Sequence, residues 1–168
     1  MGPGLKVVEY DPCWIRTFEE IREFVLPVLS DLIITIEHVG STSVPGLAAK
    51  PIVDMDVVVS TQEDVFTAIQ RLATLGYVHE GDLGAKGREA FIPPANVVWH
   101  HLYVCTVDNT EYKRHILFRD YLRSHLEDAK RYSNLKLELA ERFNNNRVAY
   151  TNAKNDFVTE ILQRAGWK

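Results

Sequence analysis

Cysteine is scarce in this chain: Cys13 and Cys105 are the only two among 168 residues, and they lie far apart. One isolated pair in a chain of this size is neither a disulfide framework nor a zinc-ligand spacing, so two reduced thiols are expected. Long apolar runs are missing as well. No stretch approaches the roughly 18 consecutive apolar residues of a membrane span, and the amino terminus lacks the apolar core of a signal peptide. A cytoplasmic location without a membrane partner is therefore expected. Neither sign of charge dominates, since 19 Lys and Arg stand against 23 Asp and Glu for a net charge of -4. A protein that coats nucleic acid carries a clustered basic stripe. Small-molecule partners are expected instead, with RNA admitted only as an acceptor at a restricted site.

Internal repeats and low-complexity tracts are also absent, and the 46% hydrophobic content suits one core. A single domain over residues 1–168 is expected. Asp11-Pro12 is a helix start, and Trp14, Phe18, Ile21, Val25 and Val28 follow on one apolar face. Pro27 is expected to kink or end that helix near its last turn. Residues 32–39 and 52–59 read as strands, and Thr61 caps a helix that stops at Gly76. Short strands are predicted at 77–79 and 89–92, and a further strand at 97–104. Between the first two, three glycines suggest a mobile connection carrying Lys86 and Arg88. Helices are predicted over 111–126, 128–143 and 148–165. The fold class expected is mixed α/β, a sheet covered by helices with C-terminal helices closing over one edge.

The chemistry concentrates at residues 38–59. Side chains alternate along a strand, so Asp54 and Asp56 share one face while Val53, Met55 and Val57 take the other. Two carboxylates on an otherwise apolar strand are costly to bury as anions. A divalent cation removes that cost, and Mg²⁺ commonly takes one or two carboxylates plus substrate phosphates. Just upstream, Gly40 permits close approach, and Ser41, Thr42 and Ser43 offer hydroxyls and backbone N–H groups suited to phosphate. On the C-terminal helices, Lys136 follows Tyr132 by four residues and Lys154 follows Tyr150 by four. Both lysines lie on their helix's apolar stripe. Snorkelling explains either one alone, but the repeated spacing points to phosphate contacts. Arg119 and Arg123 share one helix face, where an ion pair with Asp120 or Glu127 explains them.

Gly40-Ser41 followed by Asp54-x-Asp56 resembles the signature of the DNA polymerase β-like nucleotidyltransferases. The fuller string from His38 to Leu47 and from Lys50 to Asp56 resembles the GrpB family more specifically. The likeness continues through His100-His101-Leu102, through residues 118–123, and to Tyr132, Lys136, Tyr150 and Lys154. The resemblance implies a nucleotidyltransferase fold, Mg²⁺ or Mn²⁺ at Asp54 and Asp56, and nucleotide phosphates near Gly40, Ser41, Thr42, Ser43, Lys50, Lys136 and Lys154. A nucleoside triphosphate and a small acceptor would then be the partners. GrpB-like domains also occur fused to dephospho-coenzyme A kinases, which keeps a non-catalytic module binding a nucleotide or coenzyme A-like ligand as the alternative. Polymerase β-like enzymes usually place a third carboxylate on a later strand, and residues 97–104 contain none. His101 is one candidate general base, since adjacent His100 and His101 face opposite ways. Glu89 on the neighbouring strand is the other.

Overall fold

The structure is a computed structural model describing residues 6–144 and 146–168. Its first helix, α1 (Cys13–Leu29), starts as Asp11 Oδ1 accepts the Cys13 amide at 2.9 Å. It buries Trp14, Phe18, Ile21, Val25 and Leu29. Pro27 lies in its last turn, and the helix ends two residues later. In the last turn a missing amide removes a single hydrogen bond, and the Ser30 amide still reaches Leu26 O at 2.8 Å.

Five strands form one mixed sheet in the order β1 (Ile33–Val39), β2 (Asp54–Val59), β5 (His101–Thr106), β4 (Glu89–Ile92) and β3 (Val78–Gly81). Strands β2 and β5 run parallel, and the other neighbours are antiparallel. A parallel pair needs a crossover, and α2 (Gln62–Ala73), capped by Thr61, lies within it. β5 begins four residues later than its apolar pattern suggests. A turn from Val97 N to Pro94 O, and Val98 O accepting from His100 Nδ1 at 2.7 Å, hold 97–100 outside the ladder.

Strand alternation separates two chemistries. One sheet face presents Ile36, Met55, Val57, Val59, Leu102, Val104 and Phe91 to the buried residues of α1 and α2. The register partners Glu37, Asp56 and Tyr103 share the opposite face with Asp54 and His101. Over that face lie three further helices, α3 (Thr110–Ser124), α4 (Leu126–Arg142) and α5 (Arg147–Arg164). Val44, Leu47, Leu122, Ala129, Tyr132 and Ile161 form a second apolar cluster that fixes them against the loop after β1. No helix among the described residues is long and apolar enough to cross a membrane.

Candidate active site

The loop that leaves β1 is shaped by a contact no other residue could make. Gly40 has φ +74° and passes so close over Asp54 that a Cβ there would collide with Asp54 Oδ2. Glycine is the residue that meets both demands. Ser41–Ser43 then form a short 3-10 turn. The four residues expected to cradle phosphate do not act alike. Ser41 faces a cavity, and its Oγ accepts from Lys136 Nζ at 2.5 Å. Thr42 is buried with its Oγ1 2.8 Å from His38 Nε2, while the Ser43 hydroxyl donates to Gly40 O. The Ser43 and Val44 amides close the turn onto Gly40 O and Ser41 O rather than standing free. Ser41 is the hydroxyl left for a ligand, and Thr42 supplies wall.

Asp54 and Asp56 share a face but not an environment. Asp54 is part-buried at the cavity, and its Oδ1 accepts from His101 Nδ1 at 2.6 Å. Asp56 is wholly buried. Its Oδ1 accepts from Arg88 Nε at 3.2 Å and Arg88 Nη2 at 2.8 Å, whereas its Oδ2 is buried with no partner. Burial pushes the Asp56 carboxyl up to about 6 against the pull of Arg88. The Arg88 guanidinium also lies 3.5 Å from the Tyr103 ring centroid, a cation–π contact. Beside Asp56 on β1, Glu37 is held by Arg119 Nη1 at 2.8 Å. Arg119 also bonds Asp120 at 2.9 Å, as its spacing suggested, and Arg123 donates to Ser43 O.

The lysines converge. A cavity of about 240 Å³ is lined by Ser41, Thr42, Lys50, Asp54, His101, Lys136, Arg147, Tyr150 and Lys154. Lys50 and Lys154 both lie 5.0 Å from the Tyr150 ring, and Lys136 lies 4.9 Å from that of Tyr132. Burial, then the charge of Lys154, holds Lys136 well below the ordinary lysine range, and burial followed by Lys50 brings Lys154 down to about 8. Crowded, partly dehydrated ammonium groups around a cavity are costly without an anion. A second cavity of about 380 Å³ shares Ser41, Asp54 and Lys154 and adds Phe118, Tyr132 and Val158.

The two candidate bases are separated by the sheet. His100 turns into the protein and accepts from the Tyr77 hydroxyl at 2.7 Å, whereas His101 points to Asp54. Glu89 is the register partner of Val104, on the α1 and α2 side, and lies 3.4 Å from His79. The structure does not bring it to the Asp pair. Arg88, Arg147 and Glu37 are the residues that spacing missed. Arg147, the first residue of α5, carries no periodic signal, and Arg88 reaches Asp56 from a glycine-rich loop.

Mg²⁺ or Mn²⁺ would meet hard oxygen donors here, which both ions prefer. The bare Asp56 Oδ2 and the part-exposed Asp54 fit such an ion. No cluster of three or more metal-ligating side chains forms among the described residues, so substrate phosphates and water would complete its shell.

Comparison with known proteins agrees with this architecture. The family model described as GrpB protein matches residues 4–164. The chain is 35% identical over 165 residues to the UPF0157 protein YqkA of Bacillus subtilis, covering 98% of this chain but 48% of that protein. It is 33% identical to the glutamate-rich protein GrpB of Alkalihalophilus pseudofirmus, covering 93% and 92% of the two chains. The crystal structure of GrpB from Enterococcus faecalis superposes with a TM-score of 0.84 at 35% identity, over 95% and 96% of the chains. A Cid1 poly(U) polymerase with MgGTP bound matches at a TM-score of 0.57 and 13% identity, over 86% of this chain and 50% of that one, a likeness of fold. By its sequence and its nucleotidyltransferase-like mixed α/β fold, this chain belongs to the GrpB protein family.

Proposed function

We propose that the protein is a metal-dependent nucleotidyltransferase that moves a nucleoside monophosphate from a nucleoside triphosphate to a small acceptor. The observation that carries this reading is the convergence of Ser41, Lys50, Lys136, Lys154 and Arg147 on one cavity whose wall includes Asp54 and His101. Four cationic side chains match the charge of a triphosphate, and positioning with charge neutralisation is most of what phosphoryl chemistry needs from a protein. The adjoining cavity, with Phe118, Tyr132 and Val158, suits a nucleoside. Mg²⁺ or Mn²⁺ held by Asp54 and Asp56 would supply further neutralisation of phosphate charge.

His101 has the geometry of a general base. With Nδ1–H committed to Asp54, a neutral imidazole leaves Nε2 as the proton acceptor for the acceptor's hydroxyl. A cytoplasmic location and a single domain over residues 1–168 belong to the same proposal. The reading is tested by incubating the chain with each nucleoside triphosphate, Mg²⁺ or Mn²⁺, and pooled metabolites or transfer RNA, and following pyrophosphate. Release dependent on an acceptor supports it. Tight nucleotide binding with no turnover under any acceptor overturns it in favour of a regulatory module binding a nucleotide or coenzyme A-like ligand. One feature favours that second reading: β5 sets His101 and Tyr103, not an acid, beside the Asp pair, and Arg88 already compensates Asp56.

A further inference from the structure

Arg88 is built into the carboxylate pair rather than resting against it. Its side chain is 9% exposed, and two of its nitrogens converge on a single oxygen of Asp56. Tyr103, the register partner of Asp56 on β5, stacks on the guanidinium from the same face. The backbone on either side is fixed. Glu89, the next residue, enters the sheet opposite Val104. On the other side, Asn109 Nδ2 donates to Lys86 O at 3.0 Å, and the Arg88 amide closes a turn onto Ala85 O. The glycine-rich connection therefore delivers a charge at a set position.

Phosphoryl-transfer sites with two divalent ions use the ions to neutralise both carboxylates and phosphates. Here two carboxylates against one buried guanidinium leave a single negative charge. Lys50, Lys136, Lys154 and Arg147 stand across the adjoining cavity. Those four basic groups are set to meet phosphates. At the carboxylates themselves a first divalent ion turns the remaining single negative charge positive, and a second would be added against that charge at short range and low dielectric. The one side-chain oxygen of Asp56 still bare is Oδ2. From this geometry we infer that Arg88 is the permanent second cation of the site, so that the chain takes one divalent ion, at Asp54 with the bare oxygen of Asp56. The inference rests on the metal-dependent reading above and fixes its stoichiometry.

The test is a titration of the full chain with Mn²⁺ alone, without nucleotide, followed by electron paramagnetic resonance. The wild type is expected to bind one ion with no Mn–Mn coupling. Arg88→Met, which keeps an unbranched apolar stem against Tyr103, is expected to bind two coupled ions, and Arg88→Lys, which keeps the charge, one. Circular dichroism checks that the variants fold, and the wild-type and Arg88→Lys counts stand even where Arg88→Met does not. Two coupled ions in the wild type overturn this inference and leave the metal-dependent reading standing. One ion in a folded Arg88→Met also overturns it. No bound ion in any of the three proteins overturns the metal-dependent reading itself.

Discussion

Replacing Arg88 by methionine withdraws the guanidinium from a carboxylate that has no exposure to solvent and whose other oxygen is already without a partner. Breaking a buried ion pair from one side typically costs about 3–5 kcal/mol, because the remaining charge is left uncompensated. Against a total stability of roughly 5–15 kcal/mol that is a large share, and for a domain of this size it corresponds to a fall in Tm of about 10 °C. The loss depends on pH in a defined direction. Burial already raises the Asp56 carboxyl to about 6 with Arg88 present. Without Arg88 it rises further, so the folded state holds a proton that the unfolded state, near its ordinary value of about 3.9, releases. Stability contributed by a carboxyl raised in this way is present below the unfolded value and lost as pH rises through the folded one. Urea unfolding of wild type, Arg88→Met and the double variant Arg88→Met with Asp56→Asn, at pH 5 and pH 8, reads all of this. The single variant should lose little at pH 5 and the full amount at pH 8, and the added Asp56→Asn should restore at least half of it. An Arg88→Met protein within about 1 kcal/mol of wild type at pH 8, well under the buried-pair cost, refutes the reasoning. So does a double variant no more stable than the single one.

Lys154 carries its charge below about 8, so wild-type affinity for inorganic triphosphate should fall as pH rises from 7 to 9. Lys154→Met should bind about 10- to 100-fold more weakly at pH 7, from roughly 1.5–3 kcal/mol for a hydrogen bond to a charged group, with a flatter profile by calorimetry. Gly40→Ala forces a left-handed φ on a residue with a Cβ and drives that Cβ into Asp54. A loss of about 1–3 kcal/mol in stability should accompany weaker Mn²⁺ binding, both measured by thermal shift with and without the ion. His101→Ala should lower turnover about 10²- to 10⁴-fold while nucleotide affinity is kept. Glu89→Gln, across the sheet from the pair, should leave turnover unchanged in the same steady-state assay.

Short-range periodicity carried most of what was legible. The alternation of Asp54 with Met55 and Asp56 with Val57 places the carboxylates on one face, and β2 obeys it because its other face packs on α1 and α2. The Tyr-x-x-x-Lys spacing placed Lys136 and Lys154 on the buried side of their helices. It could not show that the two lysines meet Lys50 and Arg147 around one cavity. What sequence spacing cannot carry is a side chain reaching from a loop to a distant strand. Arg88 lies 32 residues from Asp56, and Arg119 lies 82 residues from Glu37. Spacing along the helix offered Asp120 or Glu127 as the ion-pair partner and gave no sign of Glu37. The glycines of 81–87 read as a mobile connection because glycine marks freedom as readily as it marks a set turn. Turn bonds and Asn109 give this loop its form. Residues 97–100 carried a strand-like apolar pattern, but Pro93 and Pro94 and the bonding of His100 to Val98 O remove them from the ladder.

Nucleotidyl transfer at this site is read most directly by one measurement: the fate of label in a nucleoside triphosphate marked at both the α and γ phosphates. Incubated with the wild-type chain, Mg²⁺ or Mn²⁺, and an acceptor pool, the α label should enter a new product while the γ label appears in pyrophosphate. Asp54→Asn should abolish both. Label recovered only as inorganic phosphate, or a triphosphate that binds and is returned intact with every acceptor, contradicts the account.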